Sequence, residues 1–200
     1  MFLPDLIGYT LIRETQEHPV IVISFPKIKE KLAMRKFIMI ALLMSTAAFA
    51  APIKPFALPQ MNASPIGTSF TSASHPGRAW VIENYFNSCS YCNENAPQVN
   101  DLADFYKDNA RVLVIDLGID RQDAQYATWI SNHAPNHPVL KDSSRSLTNQ
   151  FGTTGYPSTY VMNCKMEVTW SHSGVWDAAS LAEIKDKIDE ALSVECPFLW

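Results

Sequence analysis

The sequence predicts an α/β protein: a central mixed β-sheet with helices on both faces, preceded by an N-terminal extension. Three observations lead there. Strand-like apolar runs alternate with amphipathic helical stretches from residue 80 to residue 151. Residues 158–172 read as two strands joined by a tight turn, which adds an antiparallel part to the sheet. The chain has 200 residues, 47% apolar and 18% charged, which fits one ordinary globular domain and leaves little room for a second.

Residues 80–86 (WVIENYF) are apolar on both faces, as a strand in the middle of a covered sheet should be, and Glu83 stands out among them. From Cys92 the period changes. Ala96, Val99, Leu102 with Ala103, and Phe105 with Tyr106 form one stripe of a helix. Residues 111–117 (RVLVIDL) make a second buried strand, and residues 122–131 a helix that ends before Pro135 and Pro138. A short apolar piece at 138–140, a short helix at 144–151 and a strand at 158–162 follow. After a turn at 163–165, residues 168–172 alternate as the second hairpin arm. Leu181, Ile184, Ile188 and Leu192 line one side of a closing amphipathic helix. The order is β-α-β-α-β-α-β-β-α, and right-handed crossovers leave few topologies open to it.

The segments ahead of residue 78 have other characters. Met34-Arg35-Lys36 is a short basic start, an apolar stretch runs from Phe37 to Ala51 over 15 residues, and Ala48-Phe49-Ala50 is a small-x-small cleavage pattern. A helix that spans a bilayer needs about 20 apolar residues, so 34–50 reads as an export signal cut near Ala50. A membrane anchor that stays uncleaved is the alternative. Residues 1–33 are too long for a basic leader region and read as upstream sequence ahead of a true start at Met34, with a genuine extension that includes the apolar run 19–23 as the alternative. Residues 51–77, rich in Pro, Ser, Thr and Ala, show no period and read as an extended surface lead-in, so that the domain proper spans 78–200.

After Ala50 there are 10 Lys and Arg against 16 Asp and Glu, a net charge of −6. Such a surface repels phosphate backbones, so nucleic acid is not an expected partner. All four cysteines, Cys89, Cys92, Cys164 and Cys196, follow the leader. An even count in an exported chain points to paired thiols in an oxidising compartment, periplasmic or secreted.

Cys89 and Cys92 carry the chemistry. A Cys-x-x-Cys that follows a buried strand and opens a helix puts its first sulfur against the unpaired N–H groups and positive end of the helix dipole, which stabilise a thiolate. Cys89 is then the exposed nucleophile and Cys92 the buried resolving thiol. The spacing also lets the pair open and close repeatedly. A structural disulfide or half of a zinc site are the other readings, although a zinc ribbon needs a second such pair. The five histidines have no ligand-like spacing, so no metal and no cofactor beyond the disulfide itself is expected. A buried carboxyl at Glu83, with its pKa raised by desolvation, is suited to exchange a proton with the Cys92 thiol.

With Gly155-Tyr156-Pro157 placed before the hairpin strand, the chain resembles the thioredoxin superfamily. The resemblance implies the thioredoxin fold, a cis Pro157 facing the Cys pair, and a buried acid at Glu83. It also implies that Pro97 kinks the first helix, and that the backbone of Tyr156, with Ser90 and Tyr91, receives an extended substrate segment. Sixty-four residues separate Cys92 from Pro157. That spacing, with the run from His137 to Asp142, resembles the TlpA-like family of exported thioredoxins across about residues 78–192.

The activity this implies is thiol-disulfide exchange with exported proteins, most of all as a reductase, by a monomer fed by an upstream redox partner, soluble or in the membrane. An isomerase or oxidase would use the same residues. Ser88 stands where thioredoxins usually carry Trp, and Ser90-Tyr91 replaces the Gly-Pro of cytosolic reductases, so the motif leaves the direction of electron flow open. A copper-binding chaperone is the alternative from another class, but that family uses a three-residue Cys spacing. For Cys164 and Cys196, a hairpin arm of seven residues and a returning helix of 16 span about 23 and 24 Å. A structural disulfide between them is expected, with two separate thiols as the other possibility.

Overall fold

The computed structural model describes residues 51–196; the predicted leader at 34–50 and the stretch 1–33 lie outside the described residues. Seven strands form one mixed sheet. They are β1 (Ala57–Gln60), β2 (Thr68–Thr71), β3 (Ala79–Tyr85), β4 (Val112–Gly118), β5 (Val139–Lys141), β6 (Ser158–Met162) and β7 (Val168–Ser173). Their order across the sheet is β2-β1-β5-β4-β3-β6-β7. β3 pairs parallel to β4, and β4 to β5, whereas every other neighbouring pair is antiparallel. The helices are α1 (Ser90–Tyr106), α2 (Asp123–His133), α3 (Thr148–Phe151) and α4 (Ala178–Ser193).

Alternation along β3 and β4 builds two cores. Ala79, Val81, Val112 and Val114 face Val99 and Leu102 of α1 and Ile184 and Ile188 of α4. Trp80, Ile82, Ile115 and Leu117 face the opposite way, against Leu147, next to α3, and against Ile53, Phe56, Leu58 and Phe70. Every residue of β3 is buried. Its lack of a polar face is what a central strand covered on both sides requires.

The second core corrects the expectation for residues 51–77. They do not lie on the surface as a lead-in; they fold into the β1–β2 hairpin, which joins the sheet edge through Gln60 beside Leu140. The folded unit therefore begins well before residue 78. Its buried side chains are single apolar residues set among prolines and hydroxyls, on strands of four residues each. Segments so short hold at most two turns of a period-two pattern, which is why no periodicity is legible there.

The short helix is also shorter than expected, Thr148–Phe151 rather than 144–151. Asp142, fully buried, accepts from the backbone N–H of Ser146, Leu147 and Thr148 and from the hydroxyls of Ser146 and Thr148. Those bonds shape residues 142–147 into a loop that offers the backbone an alternative to helix. No helix among the described residues is long and apolar enough to cross a membrane.

Candidate active site

β3 leaves the sheet at Tyr85, and four residues later the chain turns into α1 with Cys89 at its N-cap. The Cys89 N–H donates to Phe86 O at 3.1 Å, and the Cys92 N–H points at Cys89 Sγ, also at 3.1 Å. The sulfur therefore occupies the place a capping oxygen usually takes, at the positive end of a helix of 17 residues. Cys89 and Cys92 are joined as a disulfide, with their Cα atoms 5.2 Å apart.

Cys92 is 1% exposed and Cys89 6%. Cys89 is thus less open than its reading as an exposed nucleophile suggests, because in the disulfide form its sulfur faces Cys92 and the cluster of Tyr85, Ala96, Tyr126 and Trp129. Ser90 and Tyr91 stand out to solvent in the first turn, Tyr91 at 63% exposure. Pro97 sits on the exposed side of α1.

Phe86 and Tyr156 pack on the rim of the same cluster, and their rings meet edge to face at 5.4 Å. The Tyr156-Pro157 peptide bond is cis and Pro157 is buried. Its carbonyl accepts from the Gly174 N–H at 2.9 Å, which ties the turn to the end of β7.

Glu83 is 2% exposed and points to the α1 side of β3. Asn95 of α1 donates to Glu83 Oε1 at 2.8 Å, and the Thr159 hydroxyl of β6 donates to Oε2. Trp176 completes the cluster, its indole N–H donating to Thr159 Oγ1 at 2.8 Å and its backbone N–H to Asn95 Oδ1 at 2.9 Å. Burial pushes the Glu83 carboxyl up to about 8 against the pull of its two hydrogen bonds, and the nearby Asp116 carboxylate pushes it the same way. Asn95 lies one turn beyond Cys92 on α1, so the acid is bonded to the helix that carries Cys92.

Asn95, Thr159, Trp176 and Asp116 were not singled out from the sequence as parts of a site. Two of them leave a signal there. Asn95 falls on the apolar stripe of α1, three residues after Cys92, and Asp116 interrupts an apolar strand just as Glu83 does. Asp116 accepts from the Trp129 indole N–H at 2.8 Å. Its other oxygen faces His137 Nε2 at 3.2 Å, outside hydrogen-bond geometry, and neither atom has another partner among the described residues. His137 is buried against the sheet.

Cys164 and Cys196 are bonded across a sequence separation of 32, joining the turn after β6 to the chain that leaves α4. This pair lies in a different part of the fold from Cys89 and Cys92, near Val194. No group of three or more His, Cys, Asp or Glu side chains among the described residues is arranged to hold a metal ion.

Comparison with known proteins agrees with this architecture. The model of the AhpC/TSA family matches residues 50–171. The thiol-disulfide oxidoreductase YkuV of Bacillus subtilis is 29% identical over 79 residues, 38% of this chain and 53% of that protein, so the match spans about half of the relative. A thiol:disulfide interchange protein DsbE from Chlorobium tepidum, described as putative, superposes with a TM-score of 0.63 at 18% identity, covering 72% of this chain and 98% of that one. A secreted Mycobacterium tuberculosis disulfide oxidoreductase gives 0.55 at 17% identity, covering 68% and 95%. At such identities the likeness is one of fold, and the fold is the thioredoxin-like one. With more than half of its length matched by one family model, the chain belongs to the AhpC/TSA family.

Proposed function

We propose that the protein is a thiol-disulfide oxidoreductase that exchanges disulfides with protein substrates through Cys89 and Cys92, working as a reductase of the TlpA-like type. The observation that carries this is the disulfide at the N-cap of α1 with a buried acid bonded to the same helix one turn further on. A buried carboxyl raised to about 8 and bonded to the helix of the Cys pair favours proton exchange at the pair over a purely structural bond.

In the reduced protein, Cys89 is the thiolate, stabilised by the Cys92 N–H and the helix N-terminus. It attacks one sulfur of a substrate disulfide, forming a mixed disulfide and releasing the other substrate sulfur as a thiolate. Cys92 gives its proton to Glu83 in its ionised form, the minor form below about pH 8, and attacks Cys89 Sγ. The mixed disulfide breaks, the second substrate thiolate leaves, and the Cys89–Cys92 bond closes. Two electrons pass to the substrate, and the proton held on Glu83 goes on to solvent or to the departing thiolate.

Export is part of the same reading, supported by the leader-like residues 34–50 and by a second disulfide, Cys164–Cys196, of the kind that persists in oxidising compartments. The partners are then exported protein thiols and the donor that reduces Cys89–Cys92 again.

Equilibration with glutathione tests the direction. Reference potentials on this fold run from about −270 mV for a reductant to about −120 mV for an oxidant. A value near the lower end supports the reductase, and one near the upper end overturns it. Cys92→Ser should accumulate mixed disulfides with substrate on Cys89, whereas Cys89→Ser should not; equal trapping by both removes the assignment of roles.

A further inference from the structure

Beside the disulfide a groove of about 420 Å³ opens between the loop that precedes α2 and the rim of the Cys cluster. Phe86, Tyr156 and Ile119 form its apolar part, and Asp120, Arg121 and Arg145 its charged part. Phe86 and Tyr156 are the same two rings that border Cys89 and Cys92, so a segment entering the groove is led to the sulfurs.

The charge of the groove runs against that of the chain. Residues 51–200 carry a net −6 and contain only four arginines, yet two of them line this one groove. Both are exposed, and neither is paired to a carboxylate among the described residues. The acids around them are already engaged. Asp120 accepts from the Asn87 N–H at 2.8 Å and from Gln125 Nε2 at 2.9 Å, and burial pushes its carboxyl up. Asp123 is paired with Lys141, and Asp142 is spent on the loop donors described above.

The fold fixes the backbone of Arg145 at the edge of the groove. Its backbone is left-handed, with φ of 59°, an uncommon state for a residue with a Cβ. The Arg145 N–H donates to Asp142 O at 2.8 Å, and the buried Asp142 carboxylate holds the residues that follow. The side chain acts on its neighbour across the groove: burial raises the Tyr156 hydroxyl, and the Arg145 charge pulls it back down.

We propose that this groove selects substrates whose extended segment carries an acidic side chain within a few residues of the reacting cysteine. The carboxylate meets Arg121 and Arg145 while the segment lies on Phe86 and Tyr156. The proposal rests on the oxidoreductase reading of Cys89 and Cys92 and adds the class of substrate to it.

Three synthetic peptides, each closed by one disulfide and differing only in Glu, Gln or Lys beside the cysteines, test it against the reduced full-length protein. In every case the peptide S–S bond breaks, the Cys89–Cys92 bond forms, and the peptide gains two electrons and two protons. The expected order of second-order rates is Glu above Gln above Lys, with a Glu to Gln ratio of about three to ten from two partly exposed charge pairs. That ratio should fall to about one in Arg121→Gln with Arg145→Asn, and also at about 0.5 M salt, where exposed charges are screened. Asn is chosen because it tolerates left-handed backbone. Should the double variant fail to fold, Arg121→Gln alone should lower the ratio. Lys187→Gln, on the far helix α4, should leave it in place. Equal rates for the three peptides overturn the acidic selection while the exchange reading stands; no exchange with any of them brings down both.

Discussion

Glu83 and Asp116 stand in register on the neighbouring strands β3 and β4, two buried carboxyl groups on one face of the sheet. Their hydrogen bonds diverge, Glu83 turning to Asn95 and Thr159 and Asp116 to Trp129. The pair is therefore coupled by charge and not by a shared proton. Burial is the main reason that Glu83 stays protonated to about pH 8, and the nearby Asp116 carboxylate adds to it.

Stability should fall as pH rises. The folded-state value of Glu83, about 8, lies above its ordinary value of 4.5, so between those limits the folded protein holds a proton that the unfolded chain has lost. The contribution is fully present below the ordinary value and is lost through about pH 8, with a slope of at most about 1.4 kcal/mol per pH unit. Urea denaturation of the oxidised protein at pH 5 and pH 9 should show a drop of a few kcal/mol, roughly, that Glu83→Gln largely removes. An unchanged pH dependence in Glu83→Gln would count against a buried, raised carboxyl.

Asp116→Asn should move the titration of Glu83 to lower pH by deleting the like charge, while the Trp129 indole keeps an oxygen to donate to. The other titratable groups near Asp116 are His137, His133 and Tyr85, all on surrounding elements. Alkylation of Cys92 in a Cys89→Ser background reads the effect as an inflection in rate against pH. The inflection should shift downward in Asp116→Asn and vanish in Glu83→Gln; an inflection that stays in place in both separates Cys92 from these acids.

Gly118→Ala should destabilise the fold by about 1–3 kcal/mol through overpacking. An added Cβ would lie 2.5 Å from Tyr126 Cε1 and 2.9 Å from the Tyr85 hydroxyl. Neither ring can withdraw: Tyr85 stacks on Trp129 at 3.9 Å, and the Tyr126 hydroxyl donates to Gly118 O. Chemical denaturation with a midpoint equal to the wild type would show more give in this cluster than the contacts allow.

Replacing Cys164 and Cys196 together by Ser should lower stability by about 3–4 kcal/mol, the chain-entropy cost of opening a loop of this length. The rate of disulfide exchange at Cys89 should persist, because the second bond lies at the other end of the strand-helix layer from α1's N-terminus. A melting temperature that does not move would mean the two sulfurs are not bonded in solution.

Local pattern determined a good part of this protein. The apolar runs at 80–86 and 111–117 mark the two central parallel strands, and the stripe from Ala96 to Tyr106 marks the helix that Cys92 enters. A strand, a Cys-x-x-Cys and a helix in succession suffice to put one sulfur at a helix N-terminus, since all three are neighbours along the chain. What only the tertiary structure decided are the contacts made between elements. Glu83 meets Asn95 across 12 residues and Thr159 across 76, and Trp176 reaches Asn95 across 81. The hairpin of residues 57–71 finds its place only because β5 leaves an edge open beside Gln60. Periodicity reports which face of an element is buried, but not which residue of another element is buried against it; that depends on strand register and helix docking, and the sequence carries neither locally.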